Sequence, residues 1–131
     1  MLFRSVKGNA NFMSPEQARG LTVDARSDLF SLAQVLYFCL TNELLYSGDN
    51  DLDVLYKAAT GPTFEDFAKM HDLPDPAGQI LEKALAFDPG QRFQSAAEFA
   101  GVLAAHVGGG KSDAAALMQS LFGEELRHEA A

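Results

Sequence analysis

The sequence of 131 residues is long enough to bury one hydrophobic core, and its hydrophobic content of 47% excludes a disordered tail. Its net charge of -8, with only ten lysine and arginine residues, argues against a nucleic-acid or anionic membrane surface. The single cysteine, Cys39, has no partner for an internal disulfide, and no sustained apolar stretch typical of a secretory signal follows the first residues. We therefore expect a cytoplasmic protein.

The N-terminal segment from Leu2 to Asn11 has no helical periodicity, so the sequence predicts an extended loop there. A short helix is predicted next. Ser14 can cap its first turn, Pro15 suits its first position, and Gln17 completes a capping-box pattern. Gly20 is expected to end this helix.

The predicted central helix, Asp24 to Leu40, is the most apolar part of the sequence. Ten of the twelve positions from Leu29 to Leu40 are apolar, and only Ser31 and Gln34 interrupt them. Because no face is left for water, we expect this helix to be buried and the other helices to surround it. The run is too short to span a bilayer, which needs about 20 apolar residues.

Two further helices are predicted between residues 51 and 87. Apolar residues that recur on one face predict the first, and Gly61-Pro62 ends it. The stretch from Thr63 to Pro76 is predicted to be a loop. The second helix opens at Asp75-Pro76, and Asp88-Pro89-Gly90 ends it.

The C-terminal part predicts two more helices. Ser95 caps the first, and Gly108-Gly109-Gly110 forms a flexible break before the second, which runs from Ser112 to about His128. The second helix carries an apolar stripe of Leu117, Met118, Leu121 and Phe122. No stretch predicts a strand. We therefore expect an all-α fold, with a helical domain over residues 1–107 and a glycine hinge with an amphipathic helix over residues 108–131.

Three patterns imitate ligand sites without the required spacing. The glycines before Lys111 lack the first glycine of a phosphate-binding loop, and a helix instead of a strand precedes them. Three aspartates between residues 49 and 53 imitate a calcium loop, but Val54 stands where that loop needs glycine. The three histidines and Cys39 show no metal-ligand spacing. We predict no metal and no cofactor.

Three blocks of sequence together resemble the C-terminal lobe of bacterial serine/threonine protein kinases of the Hanks type. They are residues 8–17 (GNANFMSPEQ), 23–32 (VDARSDLFSL) and 88–93 (DPGQRF). Taken singly, the blocks are explained by a capped helix, a buried helix start and a helix stop with a solvated arginine. Their order and spacing fit the kinase lobe over most of the chain, and imply an all-α domain around a buried central helix.

By this resemblance, four residues would form the loop that receives the substrate residue following the phosphorylated hydroxyl: Gly8, Asn9, Phe12 and Met13. Asn9 stands where many relatives carry a threonine. In the family this loop faces the catalytic loop, which the sequence lacks, so its apolar residues need another partner. We expect the loop and the C-terminal stripe to lie at the contact of a homodimer or of a complex with another protein.

The resemblance also implies two structural roles. Glu16 would be the glutamate of the Ala-Pro-Glu signature, with Ser14 in place of the alanine, and it would form an ion pair with Arg92. Asp28 would open the central helix and anchor the backbone of the catalytic loop.

Phosphoryl transfer by a kinase needs a glycine-rich loop, a phosphate-binding lysine, a metal-binding aspartate and an aspartate base with its asparagine. None of these motifs occurs in the 131 residues, so we predict no catalytic residue and do not expect a complete kinase. The first hypothesis is a kinase C-lobe fragment that binds a substrate protein and is inactive alone. The alternative is a stand-alone module derived from a pseudokinase, which binds a partner protein without catalysis.

Overall fold

The computed structural model describes residues 10–106, and within this range the chain forms α-helices and no strand. Two short 3₁₀ turns, Ala10–Phe12 and Pro89–Gln91, accompany the helices. The helices are α1 (Pro15–Ala18), α2 (Ala25–Thr41), α3 (Asp51–Thr60), α4 (Phe64–His71), α5 (Ala77–Ala84) and α6 (Ala96–His106). The predicted all-α class is confirmed. The predicted helix from Ser112 to His128 lies outside the described residues.

Helix α1 begins with the capping box that the sequence predicts. Ser14 Oγ accepts a hydrogen bond from the Gln17 N–H at 3.2 Å, and the Gln17 side-chain oxygen accepts one from the Ser14 N–H at 2.8 Å. These two bonds satisfy backbone groups that the first turn of a helix leaves free. The chain turns away at Gly20, whose φ of +70° glycine adopts without steric strain.

Helix α2 is the central helix, and Asp24 caps its start by accepting a hydrogen bond from the Arg26 N–H at 2.8 Å. The side chains from Ser27 to Gln34 are all buried. The last turn differs, since Phe38 is 40% exposed and Leu40 is 55% exposed. The expectation that this helix has no exposed face is therefore wrong at its C-terminal end, because the helices that pack against α2 within residues 10–106 leave that turn uncovered.

The stretch predicted to be a loop between Thr63 and Pro76 contains helix α4. Thr63 and Asp66 form a second capping box, in which the Asp66 N–H donates to Thr63 Oγ1 at 3.2 Å and the Thr63 N–H donates to the Asp66 carboxylate at 2.9 Å. Only Met70 of this helix is fully buried, whereas Phe64 is 90% exposed. The loop prediction is wrong because so short a helix carries too few inward-facing residues to show a clear period.

Helices α5 and α6 complete the core. Helix α5 packs against α4 and α2, and α6 packs against α2. Ser95 caps α6 as predicted, because its Oγ accepts a hydrogen bond from the Glu98 N–H at 3.0 Å. The rings of Phe93 and Phe99 stack with their centroids 4.9 Å apart. Within residues 10–106, no helix is both long enough and apolar enough to cross a membrane.

Candidate functional site

A buried ion pair joins the start of α1 to the segment between α5 and α6. Arg92 Nη1 lies 2.6 Å from Glu16 Oε2, and Arg92 Nη2 lies 2.9 Å from Glu16 Oε1, so the contact is bidentate. The Arg92 side chain is 0% exposed and the Glu16 side chain is 9% exposed. The fold thus brings together the two residues that the kinase resemblance pairs, although 76 positions separate them.

The remaining donors of the Arg92 guanidinium are used as well. Nε donates to the Ala86 carbonyl at 2.7 Å, Nη2 donates to the Phe87 carbonyl at 2.9 Å, and Nη1 donates to the Arg26 carbonyl at 3.3 Å. The guanidinium carbon also lies 4.7 Å from the centre of the Phe30 ring. Removing the guanidinium charge of Arg92 from water costs free energy, and an ion pair with Glu16 alone does not fully offset that cost. The additional hydrogen bonds and the contact with the Phe30 ring offset much of the remainder.

The Glu16 carboxylate accepts a third hydrogen bond, from the start of α2. Ser27 Oγ donates to Glu16 Oε2 at 2.5 Å, and Ser27 is buried. Burial by itself raises the pKa of Glu16, but the hydrogen bonds from Arg92 and Ser27, a backbone hydrogen bond and the positive charge of Arg92 together bring the pKa below its ordinary value of 4.5. The carboxylate therefore stays ionised at neutral pH, and it ties α1, α2 and the Arg92 segment to one another.

We expect the free energy of unfolding to fall in acid because the pKa of Glu16 is lower in the folded than in the unfolded chain. The contribution of the ion pair is complete above pH 4.5 and is lost as the pH falls through the lower folded-state pKa. Denaturant titrations from about pH 7 to about pH 3 measure this dependence. The control variant Glu16→Gln should be less stable at neutral pH and less sensitive to acid. An identical pH dependence in both proteins would contradict this prediction.

Two polar residues of the apolar helix α2 hold the loop that precedes α1. Ser31 Oγ donates to the Phe12 carbonyl at 2.5 Å, and Gln34 Nε2 donates to the Asn11 carbonyl at 3.1 Å. The Asn11 side chain in turn donates to the Tyr46 carbonyl at 3.0 Å, which links the loop to the connection between α2 and α3. The sequence shows Ser31 and Gln34 only as interruptions of an apolar run. Polar side chains at buried positions nevertheless signal a partner, because buried polar groups are almost always hydrogen-bonded.

The side chains of Phe12 and Met13 are partly buried, and Met13 packs against the core. The other two residues of the predicted substrate loop, Gly8 and Asn9, lie outside the described residues. Asp28 occupies the first turn of α2 and is buried. The site is therefore a backbone segment before α1 that hydrogen bonds connect both to α2 and to the α2–α3 connection. The apolar side chains of Phe12 and Met13 on this segment are partly exposed.

A cavity of about 260 Å³ lies next to this loop, between the α2–α3 connection, α3 and the start of α4. Its walls include Tyr46, Tyr56, Lys57 and Asp66. The Tyr46 hydroxyl is buried and has no hydrogen-bond partner among residues 10–106, and burial raises its pKa. The backbone carbonyl of Tyr46 accepts the Asn11 hydrogen bond, so this residue connects the loop to the wall of the cavity.

No protein-family model matches the chain. The chain is 39% identical over 125 residues to the tyrosine-protein kinase MasK of Myxococcus xanthus. The aligned region covers 92% of this chain and 19% of MasK. It is 43% identical over 94 residues to the serine/threonine-protein kinase PknB of Mycobacterium tuberculosis. This aligned region covers 72% of this chain and 15% of PknB. The chain thus spans less than a fifth of the length of these curated relatives.

Among solved structures, a twitchin kinase fragment from C. elegans superposes with a TM-score of 0.61. The match has 24% sequence identity and covers 76% of this chain and 21% of the twitchin chain. At this identity the likeness shows the fold alone, which is that of a helical part of the kinase fragment.

Proposed function

Since the chain is related to bacterial serine/threonine and tyrosine protein kinases and has the helical fold of their C-terminal lobe, we propose that it forms the substrate-facing lobe of a serine/threonine protein kinase. In this role it binds a substrate or partner protein through the loop before α1. The residues present here do not transfer phosphate by themselves.

The observation that carries the proposal is the way α2 holds this loop. Ser31 and Gln34 fix two consecutive carbonyl groups of the loop, at Phe12 and Asn11, from inside the core. A loop that is already ordered loses little conformational entropy when a peptide binds. The half-buried Phe12 and Met13 supply apolar surface for the peptide side chain that follows the phosphorylated hydroxyl.

The proposed inactivity rests on the amino-acid sequence. Binding of ATP and magnesium by a protein kinase requires a lysine, an aspartate and an asparagine in recognisable motifs, and the 131 residues contain none of those motifs. The catalytic groups would then come from another segment. A non-catalytic interaction module would use the same loop, so the two alternatives differ in whether another segment supplies catalytic groups at all.

We expect the chain to bind serine-containing peptides without ATP, and the variant Met13→Asp to weaken this binding about tenfold or more, because contact with an apolar peptide side chain would desolvate the new carboxylate. Fluorescence anisotropy measures the affinity for peptides that differ only in the residue after the serine. The conservative variant Met13→Leu should restore binding. The control Phe64→Asp changes a residue that is 90% exposed on α4 and should bind like the parent.

Equal losses in Met13→Asp and Phe64→Asp, at unchanged melting temperature, would show that the loop is not the binding surface. Addition of ATP and magnesium should leave the melting temperature of the chain unchanged. A magnesium-dependent rise with ATP would contradict the proposed lack of nucleotide binding.

A further inference from the structure

An apolar groove of about 450 Å³ lies at the C-terminal end of α2, where α5 and α6 approach it. Three helices and the connection between α4 and α5, residues 73–76, supply its walls. Among the helical residues, Leu36, Cys39 and Leu40 come from α2, Ile80 and Leu81 from α5, and Leu103 from α6. Asp75 is the one charged residue of the described range that lines the groove. Leu40 is 55% exposed, and within residues 10–106 no segment covers it.

We propose that the chain's own C-terminal segment, residues 107–131, packs its apolar stripe into this groove. The stripe consists of Leu117, Met118, Leu121 and Phe122, whose spacing places them on one face of the predicted helix. If the predicted stripe packs into the exposed groove, both apolar surfaces are removed from water, which is favourable. This inference does not depend on the proposed substrate loop, which another part of the surface carries.

The position at which the described chain ends supports this assignment. Helix α6 ends at His106, less than one turn after Leu103, and Leu103 lines the groove. The C-terminal segment therefore leaves the described part of the chain at the edge of the groove. The stretch from Val107 to Lys111, which contains three consecutive glycines and precedes the predicted helix, would span about 11 to 13 Å as a flexible linker, enough to let that helix turn back towards the groove that Leu103 lines.

A segment of the same chain is favoured over a second copy because the linker sets its effective concentration. Short flexible linkers give effective concentrations in the millimolar range, far above the concentration of a second copy in dilute solution. The apolar stripe therefore occupies the groove within one chain before it meets a neighbour.

Cys39 provides a direct test, because it is the only cysteine of the chain, is exposed within the described structure and lines the groove. In the full chain its thiol should react with a maleimide about tenfold or more slowly than in the double variant Leu121→Asp/Phe122→Asp, which disrupts the stripe. The control Gln119→Asp/Ser120→Asp adds the same charge on the opposite helix face and should react like the parent. The parent rate should stay the same across a dilution series.

Equal rates in all three proteins, or protection that disappears on dilution, would overturn the proposal, and the second result would assign the groove to another copy of the chain. A cross-linking measurement guards against a variant that simply unfolds. In Met118→Cys, mild oxidation should form a disulfide with Cys39 at the mass of a monomer, and Gln119→Cys should form none. Cross-linking in both variants or in neither would also overturn the proposal.

Discussion

Replacement of Arg92 by alanine is expected to lower the free energy of unfolding by about 3 to 5 kcal/mol, the range found when one partner of a buried ion pair is removed. The variant leaves the Glu16 carboxylate in a site where the side chain is only 9% exposed, with Ser27 as its remaining side-chain donor. It also leaves the Ala86 and Phe87 carbonyls without the hydrogen bonds that Arg92 donates. Denaturant unfolding followed by circular dichroism measures the change.

Arg26→Ala is the matched control for this experiment. Arg26 forms an ion pair with Asp24 at 2.9 Å, but the two side chains are 31% and 55% exposed, so its removal should leave the free energy of unfolding almost unchanged. The double variant Glu16→Ala/Arg92→Ala should lose less stability than the sum of the two single variants, because neither charge is then left alone. An Arg92→Ala protein that unfolds at the denaturant concentration of the parent would disprove the burial of the pair.

Phe30→Ala is expected to cost about 3 to 5 kcal/mol, because truncation of a buried phenylalanine leaves a cavity as well as a loss of buried apolar surface. Phe30 is 0% exposed, lies in the second turn of α2 and contacts the Arg92 guanidinium through its ring. Loss of the ring therefore also weakens the packing around the ion pair.

The same helix offers the control for this prediction. Phe38 lies two turns later and is 40% exposed, so Phe38→Ala should cost about 1 kcal/mol or less. Chemical denaturation of both variants compares a buried and an exposed phenylalanine on one helix. Equal losses would mean that the described exposure of the last turn of α2 is incorrect.

The local chemistry of the sequence was enough to locate the helix starts at Ser14, Asp24 and Ser95. Each of these caps acts on a backbone N–H within three residues, so the information lies in a few adjacent positions. The resemblance to the kinase lobe supplied what local chemistry does not contain. The pairing of Glu16 with Arg92 came from that resemblance, since no period or capping rule connects residues 76 positions apart.

Only the tertiary structure decided which parts of the apolar helix are covered. The composition of the run from Leu29 to Leu40 gave no reason to distinguish its two ends, whereas the tertiary packing buries every side chain from Ser27 to Gln34 and leaves Leu40 exposed. The fold also determines that the side chains of Ser31 and Gln34 donate hydrogen bonds to carbonyl groups of a loop about twenty residues earlier in the chain. Burial and long-range hydrogen bonds depend on which surfaces meet, and a single helix does not carry that information.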